Sequence, residues 1–323
     1  MNRLTMERHQ VWFYLCAILA GLVTGAALPA IIPVLEGLLW PVLIVLLYTT
    51  FVQVPLWHVR ESFRDHRFVG AVLIGNFVLL PLLAWGLIQF LPADPALRLG
   101  VLLVLLVPCT DWFITFCHLG GGDAPRTLAI TPLNLLLQLV LLPVYLWLMA
   151  GSGITVAVSP GDIWPAVFVV LVPLVLAALT ERWMEHRPAR QVWRDRLAWG
   201  PVPLLALVVF LIAAAHIQHV INAVGVLTIV APLFAVFLLM AALIAKLLAT
   251  ILHLPTAQAR TLAFSLGTRN SFVILPVALA LPSGWEIAAI VIVCQSLIEL
   301  GGMMVFLWWM PHLFKFTEPT GDH

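Results

Sequence analysis

Long runs of apolar residues fill most of this sequence and constrain its fold more than any other feature. Of the 323 residues, 63% are hydrophobic and 10% are charged, and the mean hydropathy is +1.08. A helix of about 20 apolar residues spans the hydrocarbon core of a bilayer. A soluble domain could bury some of these runs in its core, but not all of them. The sequence therefore predicts an all-α polytopic membrane protein.

Ten such runs occur along the chain, and the basic residues between them predict their orientation. They cover about residues 10–30, 38–57, 68–91, 97–119, 127–149, 163–181, 197–220, 224–252, 261–282 and 285–310. With the N-terminus inside, thirteen of the 16 Lys and Arg residues fall in cytoplasmic segments, and one, Arg98, falls in an outer loop. Basic residues concentrate on the cytoplasmic side of membrane proteins. We therefore expect an integral protein of the inner or plasma membrane with both termini in the cytoplasm.

The ten spans divide into two groups of five, and an odd number per group places the second group upside down relative to the first. Inverted repeats of this kind are the plan of many secondary carriers. The same offset of 161 positions relates three polar pairs: Cys109 and Asn270, Asn134 and Gln295, Gln138 and Glu299. We predict a first five-helix repeat at residues 1–152 and an inverted second one at 153–323. Helices 1, 2, 6 and 7 would form a panel, and helices 3–5 and 8–10 a core.

Three ionisable residues, Asp111, Arg269 and Glu299, lie deep inside the apolar runs. A charged side chain at the centre of a bilayer costs about 2.5–3.5 kcal/mol on insertion scales, so it persists when it is paired, hydrated or part of a transport pathway. Two of the three lie where their helices are expected to break, next to Cys109 and Asn270. The pattern predicts a transporter whose cargo crosses at these positions.

Span four is expected to break at Pro108, because proline removes a backbone donor and clashes with the preceding turn. In span nine, a polar string interrupts an apolar stretch and predicts a second break. We expect these two broken helices to cross near mid-membrane. Six residues around the breaks are predicted to bind the substrate: Cys109, Thr110, Asp111, Arg269, Asn270 and Ser271. The alternatives are an ordinary proline kink in span four and an Arg269 side chain that reaches towards the inner surface.

Further polar residues lie on spans five and ten, which should pack beside the breaks. Asn134 is interpreted as another substrate-binding residue, although it and Gln138 could equally well hydrogen-bond between helices. Glu299 can take up a proton and is the first candidate for the proton carrier, with Asp111 the second. Arg269 is expected to be the counter-charge of a nearby carboxylate.

Patterns that would indicate other functions are missing from the sequence or weak. The net charge of +1 provides no basic field for a nucleic acid. The four cysteines form neither a CxxC pair nor a disulfide framework, and no Walker A, HExxH, GxSxG or GxGxxG motif occurs. Gly120 to Asp123 match the GxGD pattern of intramembrane aspartyl proteases, but no second aspartate motif accompanies them. We expect no enzymatic activity, metal site or cofactor, and as partners a small-molecule substrate, protons and the lipid bilayer.

Residues in both halves resemble the bile acid/sodium symporter superfamily and, within it, the arsenical-resistance carriers. They are Pro108-Cys109-Thr110, Gly122-Asp123 and Asn134 in the first half, and Arg269-Asn270-Ser271-Phe272 and Ile298-Glu299 in the second. The resemblance covers almost the whole chain and implies ten spans in two inverted repeats. It also implies that Cys109 is the arsenite ligand. On this basis the protein is expected to be a secondary transporter that exports arsenite, or a related small oxyacid, in exchange for protons.

The chain departs from this family at positions that would bind a coupling ion. Arsenite carriers typically have an acidic residue where Val273 stands, and sodium-coupled relatives have acidic and glutamine ligands where Ser265 and Arg269 stand. A fixed guanidinium repels sodium and offers it no acceptor oxygen. We therefore predict sodium-independent transport in which Glu299 or Asp111 replaces the missing carboxylate. The alternative function is sodium- or proton-coupled transport of an organic anion, with Arg269 as its counter-charge.

Overall fold

The computed structural model describes Met6 and residues 9–58, 65–149, 160–185, 190–217 and 224–314. Some of the sequence predictions concern residues outside these ranges. They are the repeat boundary at 152–153, the two chain termini and six of the thirteen basic residues: Arg3, Arg8, Arg60, Arg64, Arg187 and Lys315.

Helices make up nearly all of the described ranges, and no strand occurs within them. Eight helical spans are long and apolar enough to cross a membrane, so the protein is an integral, polytopic membrane protein. They are α1 Gln10–Ala27, α2 Ile32–Phe51, α3 His66–Ile88, α5 Ala124–Met149, α6 Pro160–Glu185, α7 Pro201–Ala215 with the preceding short helix Gln191–Leu197, α8 Val224–Ile251 and α10 Ile287–Leu313.

The other two predicted spans are each divided into two shorter helices. The fourth consists of α4a, Pro95–Leu105, and α4b, Trp112–Leu119. The ninth consists of α9a, Thr256–Gly267, and α9b, Ser271–Leu279. The predicted helix breaks are therefore confirmed. The fourth span loses its helical hydrogen bonding around Pro108, as expected for a residue without a backbone N–H.

The described helices pack in two groups. In the first, α7 packs along α1 and α2, and α6 packs along α2. In the second, α10 packs against α4a, α8 and α9b, while α9a packs against α8 and α4b. Within the first group α1 and α7 approach closely at Gly21 and Gly25, which form a GxxxG motif. A Cβ atom on these residues would lie 2.4 Å from the carbonyl oxygen of Phe210 and 2.3 Å from that of Ala214. Small residues allow such close helix packing in membranes.

A polar cluster joins the ends at which α3, α5 and α9a begin, and we call this the basic end. Asp65 caps α3 by accepting from the amide of Phe68, and its Oδ2 accepts from Arg126 Nε and Gln258 Nε2, both at 3.0 Å. Arg126 also pairs with Asp123. Burial alone would raise the pKa of Asp65, but these hydrogen bonds and the charge of Arg126 outweigh it and lower the pKa. The cluster holds three helix N-termini together.

The close approach of α1 and α7 leads to a test at Gly25. In Gly25→Ala the added methyl group would collide with a backbone carbonyl, so the two helices must separate. We expect the purified protein to unfold several degrees below the wild type. Gly37→Ala is the matched control, because a Cβ there meets nothing within 4 Å. Alanine also favours a helix over glycine, so this control should unfold no lower than the wild type. Equal unfolding temperatures for both variants would contradict the packing.

Candidate functional site

The two helix breaks contact each other through their backbones. The amide of Cys109 donates to the carbonyl of Thr268 at 3.1 Å, and the amide of Asn270 donates to the carbonyl of Val107 at 2.8 Å. The residues between them form a short antiparallel bridge. In hydrocarbon every backbone polar group must find a partner inside the protein. These bonds meet that requirement where helical hydrogen bonding stops.

Asn270 ties the two breaks together with its side chain as well. Its Oδ1 accepts from the amide of Val273 at 3.2 Å and so caps the N-terminus of α9b. Its Nδ2 donates to the hydroxyl of Thr110 at 2.8 Å. Both side chains are almost fully buried. Thr110 and Asn270, predicted from sequence as site residues, thus belong to one hydrogen-bonded unit.

The thiol of Cys109 lies at the N-terminus of α4b. It is buried, and its sulfur accepts from the amide of Asp111 at 3.5 Å. Asp111 is the N-cap residue of α4b, but its side chain makes no capping hydrogen bond. A helix N-terminus carries a partial positive charge and unpaired N–H groups, which stabilise an electron-rich atom. The N-terminus of α4b therefore provides the Cys109 sulfur with a backbone donor, whereas the side chain of Asn270 caps the N-terminus of α9b.

Glu299 connects the two breaks from α10. One carboxylate oxygen accepts from the indole of Trp112, the first residue of α4b, at 2.7 Å. The other accepts from Gln295 at 2.6 Å and from the backbone amide of Arg269 at 2.8 Å. The hydroxyl of Ser271 donates to Gln295 at 3.1 Å, which adds the start of α9b to the same network. A fully buried carboxyl group therefore bonds both broken helices.

The side chain of Arg269 has different partners from those expected. Its guanidinium forms no hydrogen bond with Glu299, because the bond from this residue to Glu299 comes from the backbone amide. Instead it donates to four oxygen atoms: the carbonyls of Leu105, Ser265 and Leu266 and the Oδ1 of Asn76, at 2.8 to 3.3 Å. It also lies 5.5 Å from the ring centroid of Phe237. The charges of Arg269 and Glu299 still interact electrostatically, in keeping with the expected counter-charge, although the two side chains share no hydrogen bond. The alternative of a side chain that reaches the inner surface is wrong, since Arg269 is fully buried.

The oxygen atoms around Arg269 come from particular places on the helices. Leu105 is the last residue of α4a, and Ser265 and Leu266 lie in the last turn of α9a. The last carbonyls of a helix have no helical donor and carry a partial negative charge. One guanidinium therefore caps the C-termini of both half-helices that lead into the breaks.

Asn76 is a site residue that the sequence reasoning missed. It lies in the middle of α3, where Gly75–Leu79 is π-helical, a distortion that often marks functional sites. Its Nδ2 donates to the hydroxyl of Ser265 at 3.1 Å, and its Oδ1 accepts from Arg269. Tyr145 donates to the carbonyl of Phe77 in the same turn at 2.6 Å. A lone asparagine in an apolar span was the available sequence signal.

Asn134 and Gln138 lie inside the protein but join none of these networks. They are 0% and 2% exposed, and neither end of either carboxamide has a hydrogen-bond partner among the described residues. Hydrogen bonding between helices, the alternative considered for both from sequence, does not occur there. Their counterparts in the offset of 161, Gln295 and Glu299, are by contrast fully engaged.

The contact between the two helix breaks, at residues 107–111 and 268–270, is called the crossing below. The other cysteines lie apart from it. The sulfur of Cys117 contacts the hydroxyls of Thr127 and Thr261 near the basic end, at 3.0 and 3.3 Å, so it faces away from Cys109. Cys16 is exposed and Cys294 is partly buried. Among the described residues no group of three or more His, Cys, Asp or Glu side chains could hold a metal ion.

A cleft between the two helix groups leads to the break in α4. It is narrow, because the centre of a water-sized sphere has only about 20 Å³ in which to move. On one side it is lined by the first helix group, at Gln10, Tyr14, Gln53 and Val202, and on the other by α4b and α9b, at Asp111, Thr115 and Phe272. Asp111 is partly exposed here. The predicted site residue Asp111 therefore lines the cleft, whereas Cys109 is buried and does not belong to the lining.

Comparison with known proteins agrees with this architecture. Residues 40–223, more than half of the chain, match the Sodium Bile acid symporter family. The chain belongs to this family. It is also 25% identical to the arsenical-resistance protein Acr3 of Corynebacterium glutamicum over 299 residues, which cover 86% of this chain and 80% of that protein. As a member of the Sodium Bile acid symporter family with eight long apolar helices, the protein is a membrane transporter for a small-molecule substrate.

The Asn76–Arg269 contact can be tested by substitution at Asn76. Asn76→Leu removes one acceptor from a buried cation, a loss on the order of 1.5–3 kcal/mol for a hydrogen bond to a charged group. We expect a lower unfolding temperature in detergent and reduced transport. Asn76→Asp keeps the acceptor and should retain more of the stability. Asn134→Leu is the control for removing a buried amide, and it should not lower the unfolding temperature because that amide has no protein partner. If Asn76→Leu unfolds at the wild-type temperature, the contact is unimportant.

Proposed function

We propose that this transporter exports arsenite, or a related small oxyacid, in exchange for protons, with Cys109 as the cargo ligand and Glu299 as the proton carrier. The observation that carries the proposal is the buried thiol at the uncapped N-terminus of α4b, where two broken helices meet. Thr110, Asn270 and Ser271 position this centre, and Asp111 receives cargo from the cleft. Similarity to an arsenical-resistance protein supports the choice of cargo.

The chemistry of arsenite suits a single thiol at this place. Arsenite is neutral As(OH)3 at neutral pH, and its soft arsenic prefers sulfur to oxygen ligands. The Cys109 thiol can replace one hydroxyl: an S–As bond forms, an As–O bond breaks, and the thiol proton leaves with the hydroxyl as water. The reverse reaction releases the cargo. Because Cys117 faces Thr127 and Thr261, only one thiol is within reach, which keeps binding reversible.

Glu299 is suited to carry the proton because its carboxyl group bonds both breaks. Its partners are the indole of Trp112 on α4b and the backbone amide of Arg269 in the break of α9. A proton added to the carboxyl group removes its negative charge and so weakens both contacts together, because hydrogen bonds to a charged acceptor are the stronger ones. Protonation is therefore linked directly to the geometry around Cys109. Asp111, which faces the cleft, is the second candidate.

Sodium independence is supported by the surroundings of Arg269. Three carbonyl oxygens and one carboxamide oxygen converge on its guanidinium. Oxygen atoms of this kind are the ligands that hard cations take in proteins. Here a tethered positive charge already occupies them, so a sodium ion would meet both electrostatic repulsion and a filled site. Arg269 on this view stabilises the crossing instead of binding cargo.

We further propose ten transmembrane spans in two inverted repeats, with α1, α2, α6 and α7 as the panel. The hydrogen bonds at the crossing support this arrangement. Adding 161 relates Cys109 to Asn270 and Val107 to Thr268. The bond from Cys109 N to Thr268 O then becomes the bond from Asn270 N to Val107 O, so each is the counterpart of the other. The broken spans would be the fourth and the ninth of the ten. The basic end and both termini would face the cytoplasm, and the protein would reside in the inner or plasma membrane.

Transport of an organic anion is the second candidate function, and the family to which the chain belongs supports it. The guanidinium of Arg269 would have been the counter-charge for such an anion. Its four oxygen partners and complete burial leave it unsuited to that task. The export of a neutral oxyacid therefore agrees better with the contacts.

The thiol mechanism predicts the behaviour of cysteine variants. Cys109→Ser keeps the size of the side chain but loses the soft ligand, so we expect it to abolish arsenite uptake into everted membrane vesicles while expression and unfolding temperature stay unchanged. Cys16→Ser and Cys294→Ser are the matched controls and should transport like the wild type. Wild-type uptake by Cys109→Ser would rule out the thiol ligand and favour the organic-anion candidate, which taurocholate uptake in the same vesicles would examine.

The coupling mechanism predicts that transport depends on protons and not on sodium. In everted vesicles with an acidic interior, arsenite uptake should be the same in sodium and in choline buffers. Glu299→Gln should bind arsenite but no longer respond to the pH gradient. Glu286→Gln, at the start of the same helix, is the control and should remain coupled. A strict sodium requirement in the wild type would contradict the proposal, as would full proton coupling in both Glu299→Gln and Asp111→Asn.

A further inference from the structure

Two buried carboxamides on α5 have hydrogen-bonding capacity that the protein does not use. Asn134 and Gln138 are four residues apart and so lie on one face of the helix. Both are almost fully buried, and the nitrogen and the oxygen of each side chain are without a partner among the described residues. An unsatisfied buried polar atom costs about 1–3 kcal/mol. Two adjacent carboxamides in this condition point to a ligand.

Other polar side chains on the same helix are satisfied, which makes this pair distinctive. The hydroxyl of Thr127 donates to the carbonyl of Asp123 at 2.8 Å, and that of Thr131 donates to the carbonyl of Thr127 at 2.8 Å. The corresponding pair on α10 is also satisfied, because Gln295 and Glu299 bond each other and the crossing. Of these two matching pairs, only the one on α5, in the half that contains Cys109, therefore has free hydrogen-bonding capacity among the described residues.

The balance of donors and acceptors identifies the chemistry of the ligand. The two carboxamides offer two carbonyl oxygens that accept and two NH2 groups that donate. A bare cation would satisfy only the oxygens, and an anion without hydrogen only the NH2 groups. A neutral molecule with hydroxyl groups satisfies both, because each hydroxyl can donate and accept. A carboxylate ligand or a sodium ion is therefore a poor match.

We propose that Asn134 and Gln138 form a subsite that recognises the hydroxyl groups of a neutral polyhydroxy cargo. α5 packs against both α4a and α4b, the helices that flank Cys109. The thiol would provide the soft ligand and the carboxamides would select for hydroxyls, a combination that As(OH)3 meets. This inference rests on the proposed function for the identity of the cargo. The selectivity for hydroxyl groups does not depend on that function, because it follows from the two carboxamides.

The transport test compares Asn134→Leu, Gln138→Leu and the double variant in everted vesicles. The loss of each carboxamide should raise the KM for arsenite roughly threefold to tenfold, since one hydrogen bond is worth about 0.5–1.5 kcal/mol. The unfolding temperature should not fall, because these groups bond nothing in the protein. Thr50→Val is the matched control: its hydroxyl is also buried and without a partner, but it lies on α2, and its removal should not change KM.

A binding test separates this inference from the proposed function. The unfolding temperature of purified wild type and double variant is measured with arsenite, boric acid and glycerol, and with sodium chloride and sodium acetate in comparison. We expect the neutral hydroxy compounds, and not the salts, to stabilise the wild type, and this effect to vanish in the double variant. If arsenite is neither bound nor exported while boric acid still stabilises only the wild type, the proposed cargo is wrong but the subsite stands. A double variant with wild-type KM, or stabilisation by the salts alone, would overturn the subsite.

Discussion

The structure depends on a pair of backbone hydrogen bonds between two helix breaks. Non-helical backbone inside a membrane is tolerated only where its polar groups find partners. Neither break could satisfy its own amides and carbonyls in hydrocarbon, but each supplies what the other lacks: Cys109 donates to Thr268, and Asn270 donates to Val107. The thiol of Cys109 and the buried carboxyl group of Glu299 both accept hydrogen bonds from residues next to this contact.

The charges around the crossing follow from the helix ends that meet there. Two helices end and two begin within a few residues, so partial negative and partial positive charges lie close together. The guanidinium of Arg269 neutralises the ends of α4a and α9a, and the side chain of Asn270 caps the start of α9b. The start of α4b is left with the sulfur of Cys109. The helix start without a side-chain cap is therefore the one that lies next to the Cys109 thiol.

The two halves of the molecule use matching positions for different purposes. On α10, Gln295 and Glu299 are engaged in holding the crossing together. On α5, the carboxamides of Asn134 and Gln138 form no hydrogen bond with the described residues. The offset of 161 positions therefore relates residues whose side chains have different partners, and it could not by itself assign roles to individual residues.

The sequence by itself determined the class of the protein, its helical spans and the places where two of them break. These features depend on local composition: apolar length sets a spanning helix, and Pro108 or a polar string ends it. It also singled out Cys109, Asn270 and Glu299, because polar groups are rare at such depth. Only the tertiary structure decided which groups face each other. It directed the hydrogen bonds of the Arg269 guanidinium to two helix ends and to Asn76, which lies in a π-helical turn, and it left Asn134 and Gln138 without hydrogen-bond partners among the described residues. Side-chain direction depends on how separate helices pack, which local composition does not encode.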